Sequence, residues 1–206
     1  MKSIRLLIAF SLFSMLFIGC DQRKDINPVE SKKNAENEIR QDTYTKLSEK
    51  EDLDEKVKNN KGIFVAEQYK PYDISASVTF NHEQDADRIV YEILMENFTS
   101  ELKNVIQSFT LEPTMIQYYL TGDLTSTNAL NNSETNLYPN KEPFGLSLYR
   151  GYVINNETIN MLTDDSYLNM YIKISYGDKN NRTEDFWYIK ATPTKEVLDY
   201  LKSIAH

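Results

Sequence analysis

Nucleophilic catalysis needs a nucleophile with a base in reach, and imidazole is the commonest such base. The chain has two histidines, His82 and His206. His206 is the last residue, where chain ends fray. His82 stands ahead of a stretch whose periodicity predicts a helix, and a helix N-terminus disfavours the imidazolium form. No Gly-x-Ser-x-Gly motif accompanies either histidine. His82 therefore reads as a surface or capping residue. There is a single cysteine, Cys20, which excludes an intramolecular disulfide and a Cys/His zinc site of the usual spacing.

Carboxylates offer a second chemistry. Three groups stand out: Glu83, Asp85 and Asp87; Asp164-Asp165; and Glu184-Asp185. Paired carboxylates can hold calcium or hydrolyse a glycosidic bond. The first group is explained by acids favoured in the first turn of a helix. Adjacent carboxylates in a strand or turn point to opposite sides, and a solvated acid is the default. Asp178-Lys179-Asn180-Asn181-Arg182 has a superficial likeness to a calcium loop, but Arg182 takes a ligand place and the central glycine is missing. No metal and no cofactor is expected.

Aromatic residues offer recognition instead. Tyr118, Tyr119, Tyr149, Tyr152, Tyr167, Tyr171, Tyr176, Phe186, Trp187 and Tyr188 all lie on or beside predicted strands. Half should face a core and half the other sheet face. Tyr171 falls opposite the Leu168/Met170/Ile172 face. Exposed Tyr and Trp side chains can bind a protein, peptide or sugar, so Tyr171, Trp187 and Tyr188 form the candidate binding set. The competing explanation is that aromatic residues satisfy β propensity and packing.

The elements that must position these residues begin near Gly62, the start of the first apolar run. Ile74, Ala76, Val78 and Phe80 alternate and predict a strand. From Ala86 to Phe109, apolar residues recur at three and four with charges between them. That pattern predicts an amphipathic helix, with Asn81 or Asp85 able to cap it and Pro113 forbidding its continuation. Met115–Leu120 reads as a strand. Residues 122–143 read as a long polar loop of the kind that is functional or mobile. Leu146–Ile154, Leu168–Tyr176 and Asp185–Ala191 read as further strands, the last two joined as a hairpin. Thr192-Pro193 opens a short last helix with Val197, Leu198, Leu201 and Ile204 as its apolar face. The predicted class is α+β: one long amphipathic helix on a mainly antiparallel sheet of four or five strands. This layout resembles cystatin-like or NTF2-like folds in outline, with no motif to carry the resemblance further.

Residues 21–60 differ in kind. They hold 11 Asp/Glu and 9 Lys/Arg, with few large apolar residues at no steady period. Such a segment cannot bury enough apolar surface to offset its ordering entropy. It predicts a disordered charged tether that acts as a spacer, with transient helix over Ser48–Lys58 supported by opposite charges three or four apart. A partner-binding helix is the sharper alternative. The formal net charge of the whole chain is −8. Nucleic acid and anionic lipid headgroups are therefore poor partners, because both are bound chiefly through Lys and Arg.

The first twenty residues carry the most specific signal. Lys2 and Arg5 precede an apolar run from Leu6 to Ile18, which ends Leu16-Phe17-Ile18-Gly19-Cys20. The run is too short to span a bilayer, which needs about 20 residues, and has the length of a signal-peptide core. It resembles the lipobox of bacterial lipoproteins, with Phe17 a mild departure from the usual leucine. The resemblance implies cleavage after Gly19, a diacylglyceryl thioether on Cys20 and an acylated amine, with chains such as palmitate. It implies attachment at the outer face of the cell membrane, since two or three acyl chains hold stably where one does not. The implied segments are a signal at 1–19, a lipidated tether at 20–60 and an α+β domain at 61–206. Loss of Lys2 and Arg5 takes the charge to −10. Asn, Lys, Ile and Tyr richness points to a low-GC Gram-positive source, and the sequons at Asn97, Asn131, Asn156 and Asn181 are set aside with a bacterial signal. The expected role is non-enzymatic binding of a protein or envelope ligand; the alternatives are an envelope hydrolase using paired carboxylates and an assembly factor for an envelope machine.

Overall fold

The computed structural model describes residues 48–206, apart from 122–125, 130–134, 163, 179, 205 and 206. The stretch expected to be a secretion signal, Cys20, residues 21–47 of the expected tether, much of the long loop and His206 lie outside the described residues.

Strand β1 (Asp73–His82) and strand β2 (Asp87–Glu96) form an antiparallel hairpin, with Val78 opposite Tyr91 and His82 opposite Asp87. The alternation expected at 74–80 is the one observed: Ala76 and Val78 are buried, and Ile74 and Phe80 are packed beside them. Two further strands complete this sheet. Strand β4 (Gly145–Val153) pairs with β2, and the two-residue strand β7 (Thr192–Pro193) pairs with β1 in parallel. The order is β4-β2-β1-β7. A second sheet, in the order β3-β5-β6, joins β3 (Ile106–Leu111), β5 (Asn169–Asp178) and β6 (Asn181–Lys190), all antiparallel. The β5–β6 hairpin turns at Gly177, whose φ of +115° only glycine adopts easily. A Cβ there would stand 2.9 Å from the Asn181 carbonyl oxygen.

Both sheets feed one core. Ile89, Tyr91, Ile93 and Met95 come from the first, and Phe109, Leu111, Met170, Ile172 and Ile174 from the second. Complete burial of one such side chain is worth about 1.5–3 kcal/mol. The short helix α2 (Pro113–Ile116) adds Met115, and α4 (Lys195–Ile204) adds Val197 and stacks Tyr200 on Phe80, with ring centroids 4.1 Å apart. Helix α3 (Asn156–Met161) is closed by an Asn155–Thr158 capping box.

Four expectations are corrected. The long helix over 86–109 is absent, and β2, a connection and β3 occupy its place. Its apolar residues fit two periods at once. Ile89, Tyr91, Ile93 and Met95 alternate on the buried face, while Val90 and Leu94, which completed the helical stripe, lie half-buried on the other. β-branched and aromatic side chains favour the strand, and Asn97 and Asn104 adopt left-handed φ of 54° and 50° that no helix tolerates. With that helix goes the resemblance to cystatin-like and NTF2-like outlines. Second, there are two sheets rather than one. Third, Pro113 opens helix α2 instead of preceding a strand at Met115–Leu120, as proline's fixed φ allows at a first helical turn.

The fourth concerns the tether. Residues 48–59 form a helix, α1, with Leu53 and Val57 fully buried. It lies on the outer face of the β3-β5-β6 sheet, against Tyr171, Phe64 and the half-buried Ile63, Phe186 and Tyr188. The folded body therefore starts no later than residue 48, not at 61. Two apolar residues four apart were too few to stand out among charges, but they are enough once a sheet face is offered. Charge completes the docking. Lys173 on β5 is only 3% exposed, and its Nζ lies 2.8 Å from Glu49, 2.8 Å from Asp52 and 2.7 Å from Glu184. Burial alone would pull this ammonium down; the bonds to Asp52, Glu184 and Glu49 outweigh it and hold it above the ordinary lysine value.

Candidate functional site

After α1 the chain runs extended along the free edge of β6. The Val65 N–H donates to the Phe186 carbonyl (3.4 Å) and the Tyr188 N–H donates to the Val65 carbonyl (3.0 Å). The Gln68 amide donates to the same Phe186 carbonyl at 3.1 Å, and the Pro71 carbonyl accepts from the Thr99 N–H at 2.9 Å. Pinned at both ends, the segment joins the edge of β6 to the start of β1, and most of its residues, with Asn97, Thr99 and Trp187, line a cleft of about 470 Å³, within the size range of small-ligand sites.

Three residues that line the cleft, Lys70, Tyr72 and Trp187, belong to a buried polar network centred on Asp185 behind it. The Tyr72 hydroxyl donates to Asp185 Oδ2 at 2.7 Å and accepts from the Trp187 indole N–H at 3.2 Å. Lys70 ion-pairs with Asp185 Oδ1. Asp185 is 2% exposed. A carboxylate at that depth is tolerated only when paired and hydrogen-bonded, and Lys70 and Tyr72 supply both. Burial, reinforced by the charge of Asp185, pushes the Tyr72 hydroxyl well above the ordinary tyrosine value. The same two causes push Tyr176 up to about 12. Both phenols thus remain proton donors over the whole working range of pH. At the rim, Tyr69 is 94% exposed, and the Asn97 amide donates to Asp73 Oδ2 at 2.9 Å.

The candidate binding set separates. Trp187 points into the core and lines the cleft, its ring tilted by 58° to that of Tyr72 with centroids 6.2 Å apart. Tyr171 and Tyr188 lie on the opposite face of the sheet, under α1. Tyr171 is 6% exposed; its hydroxyl donates to Glu112 at 2.8 Å and the Lys61 ammonium lies over its ring. The open aromatic surface expected from Tyr171, Trp187 and Tyr188 is therefore already covered by the chain itself. Other tyrosines are core: Tyr91, Tyr119 and Tyr152 are mutually packed, and the Tyr91 and Tyr119 hydroxyls meet at 2.7 Å. Tyr149 stays exposed.

The acidic groups also sort themselves. Glu83 and Asp85 grip Arg88, and Asp87 meets His82 at 2.7 Å, all around the β1–β2 hairpin. They stabilise a turn and not a helix start, and His82 closes β1 instead of capping a helix. Asp164 caps the 3-10 turn Asp165–Leu168, and Asp165 pairs with Lys190. Glu184 and Asp185 emerge on opposite faces of β6, one to Lys173 and the other to Lys70. The Asp178–Arg182 stretch is the β5–β6 hairpin turn. Arg182 fills it by donating to the Ser175 hydroxyl and carbonyl and to the Asn104 carbonyl. Among the described residues, no group of three or more Asp, Glu, His or Cys side chains is arranged to hold a metal. Sequence reasoning named Asp185 and Trp187 but missed Lys70, Tyr72 and Tyr69. Their one signal was the Tyr69-Lys70-Pro71-Tyr72 run, whose aromatic-cation-aromatic order has no period to announce it.

Compared with protein-family models, curated proteins and solved structures, the chain matches none.

Proposed function

We propose that this chain is a lipid-anchored surface lipoprotein whose folded domain binds a ligand at the outer face of the cell membrane, without chemistry of its own. The anchor rests on the lipobox-like run ending at Cys20. The binding role rests on one observation: a cleft lined by Trp187 and Tyr72, with the buried charge behind it already neutralised by Lys70. A site whose ionised backing is internally satisfied is rigid and suited to holding a ligand. The hydrolase alternative needs two carboxyl groups facing one substrate, and Glu184 and Asp185 diverge. Nucleic acid is disfavoured by the net charge of −8. No helix among the described residues is long and apolar enough to cross a membrane.

Two experiments test the reading. Cells expressing the protein are labelled with a fatty acid; wild type should carry label in the membrane fraction, and Cys20→Ser should lose both. A labelled, membrane-bound Cys20→Ser variant removes the anchor from the proposal. For the cleft, lipidated wild type and Tyr69→Ala are used to retain envelope components from intact membranes. A component held by wild type and released by the variant supports the cleft, and equal retention places binding elsewhere.

A further inference from the structure

We infer that the cleft takes a cationic organic group, an ammonium or guanidinium carried on a peptide. This rests on the cleft being the binding site. Its side-chain nitrogen donors are engaged within the chain: Lys70 with Asp185, the Trp187 indole with Tyr72, Gln68 with the Phe186 carbonyl and Asn97 with Asp73 at the rim. The buried Tyr72 hydroxyl is likewise spent on Asp185. The charge that remains toward solvent is negative. Glu67 and Asp73 line the cleft, both exposed, and the lysine in its wall is already committed to Asp185. Ammonium and guanidinium groups are donors only, the complement of such a surface.

Tyr69 adds the second element. Its ring is almost wholly exposed beside Glu67 and Lys70. A cation over a tyrosine face gains from the ring quadrupole while carboxylates alongside hold its N–H groups. An aromatic ring would also suit a sugar. A neutral sugar, however, brings no positive charge to set against the exposed carboxylates of Glu67 and Asp73, so a cation is the better complement. Phosphate-bearing ligands meet two unbalanced carboxylates.

The chain supplies its own reporter, since Trp187 is its one tryptophan and lines the cleft. The full chain is titrated with triarginine, trilysine, triglutamate and the neutral sugar chitotriose, following tryptophan emission. Triarginine should give a saturable change that weakens with added salt. Glu67→Gln with Asp73→Asn should weaken triarginine roughly ten-fold, equivalent to about 1.4 kcal/mol. Tyr69→Ala should weaken it several-fold. All three side chains are exposed, so thermal melts of these variants should match wild type. Unchanged triarginine affinity in the double variant overturns the inference, as does preference for triglutamate. Saturation by chitotriose without triarginine overturns the cationic class while leaving the cleft as a binding site. Silence of Trp187 toward all four probes also overturns it, and the Tyr69→Ala retention experiment then judges the cleft separately.

Discussion

The docking of α1 depends on Lys173, and replacing that lysine by methionine tests how much. Methionine keeps the length and apolar stem of the side chain but removes the cation. Glu49, Asp52 and Glu184 are then left around a site where lysine is only 3% exposed. Breaking a buried ion pair by removing one partner costs about 3–5 kcal/mol. Asp52 and Glu184 here are 36% and 38% exposed and can turn toward water, so the expected loss is about 2–3 kcal/mol. For a domain of this size that lowers Tm by roughly 5–10 °C. Urea unfolding gives the global cost, and amide hydrogen exchange over residues 48–59 shows whether the loss is local. The control is Lys173→Met combined with Glu49→Gln, Asp52→Asn and Glu184→Gln. Neutralising all four groups should recover much of the stability, because an apolar or neutral set replaces a buried pair at little cost. A Lys173→Met variant within about 0.5 kcal/mol of wild type, with unchanged exchange at 48–59, would refute the reasoning.

Other outcomes follow from the same structure. Ile93→Lys should abolish or severely reduce folding, whereas Leu94→Lys should cost about 1 kcal/mol or less, because the two face opposite sides of β2; a helix would have buried both, and circular dichroism melts of the pair decide. Asp185→Asn should cost about 1.5–3 kcal/mol, since it removes charge-assisted bonds to Lys70 and Tyr72 at a buried site; urea titration followed at Trp187 measures it. Gly177→Ala should lower Tm, as the β5–β6 turn forces φ to +115° there. The α1 contact has a defined pH window. Asp52 is held below the ordinary aspartate value of 3.8: burial opposes this, and the bonds to Lys173 and Lys56 prevail. Its contribution is therefore complete above pH 3.8 and is lost as pH falls through the lowered value. Lys173 is raised above 10.5, so its contribution is complete below pH 10.5 and is lost as pH rises through the raised value. Exchange protection of residues 48–59 should stay flat between these limits.

What was legible in the sequence was whatever carried one unambiguous period. The strands at Ile74–Phe80, Leu146–Ile154 and Leu168–Tyr176 alternate cleanly, and each lies within one residue or two of an observed strand. The terminal helix was marked by its 3–4 spacing, but it starts at Lys195; the Thr192-Pro193 pair expected to open it forms strand β7 instead. Residues 86–109 failed because Ile89, Val90, Ile93 and Leu94 satisfy a helical stripe while Ile89, Tyr91, Ile93 and Met95 satisfy a strand. Tyr91 is the residue that decides, since it is fully buried in the core, and β-branched content should have been weighed against spacing. Helix was expected over Ser48–Lys58 and is present at 48–59, but its docking on the sheet was not legible, because its apolar signal is two residues, Leu53 and Val57. The cleft was half legible. Asp185 stood out as half of the Glu184-Asp185 pair, but its partners lie 113 and 115 residues away, and no local pattern encodes a contact of that separation.

Those separations bear on the order of events as the chain is made. Lys173 meets Glu49 and Asp52 across 124 and 121 residues, and Val65 pairs with Trp187. The seat of α1 and of residues 64–72 is built from β5 and β6, which are almost the last strands to be synthesised. A nascent chain lacking those strands can fold the β1–β2 hairpin locally, but it has nothing to cover Leu53 and Val57. Contacts of such high order slow folding and leave apolar surface waiting. The helix nearest Cys20 among the described elements is thus the first to be made and cannot be seated until the chain is nearly complete.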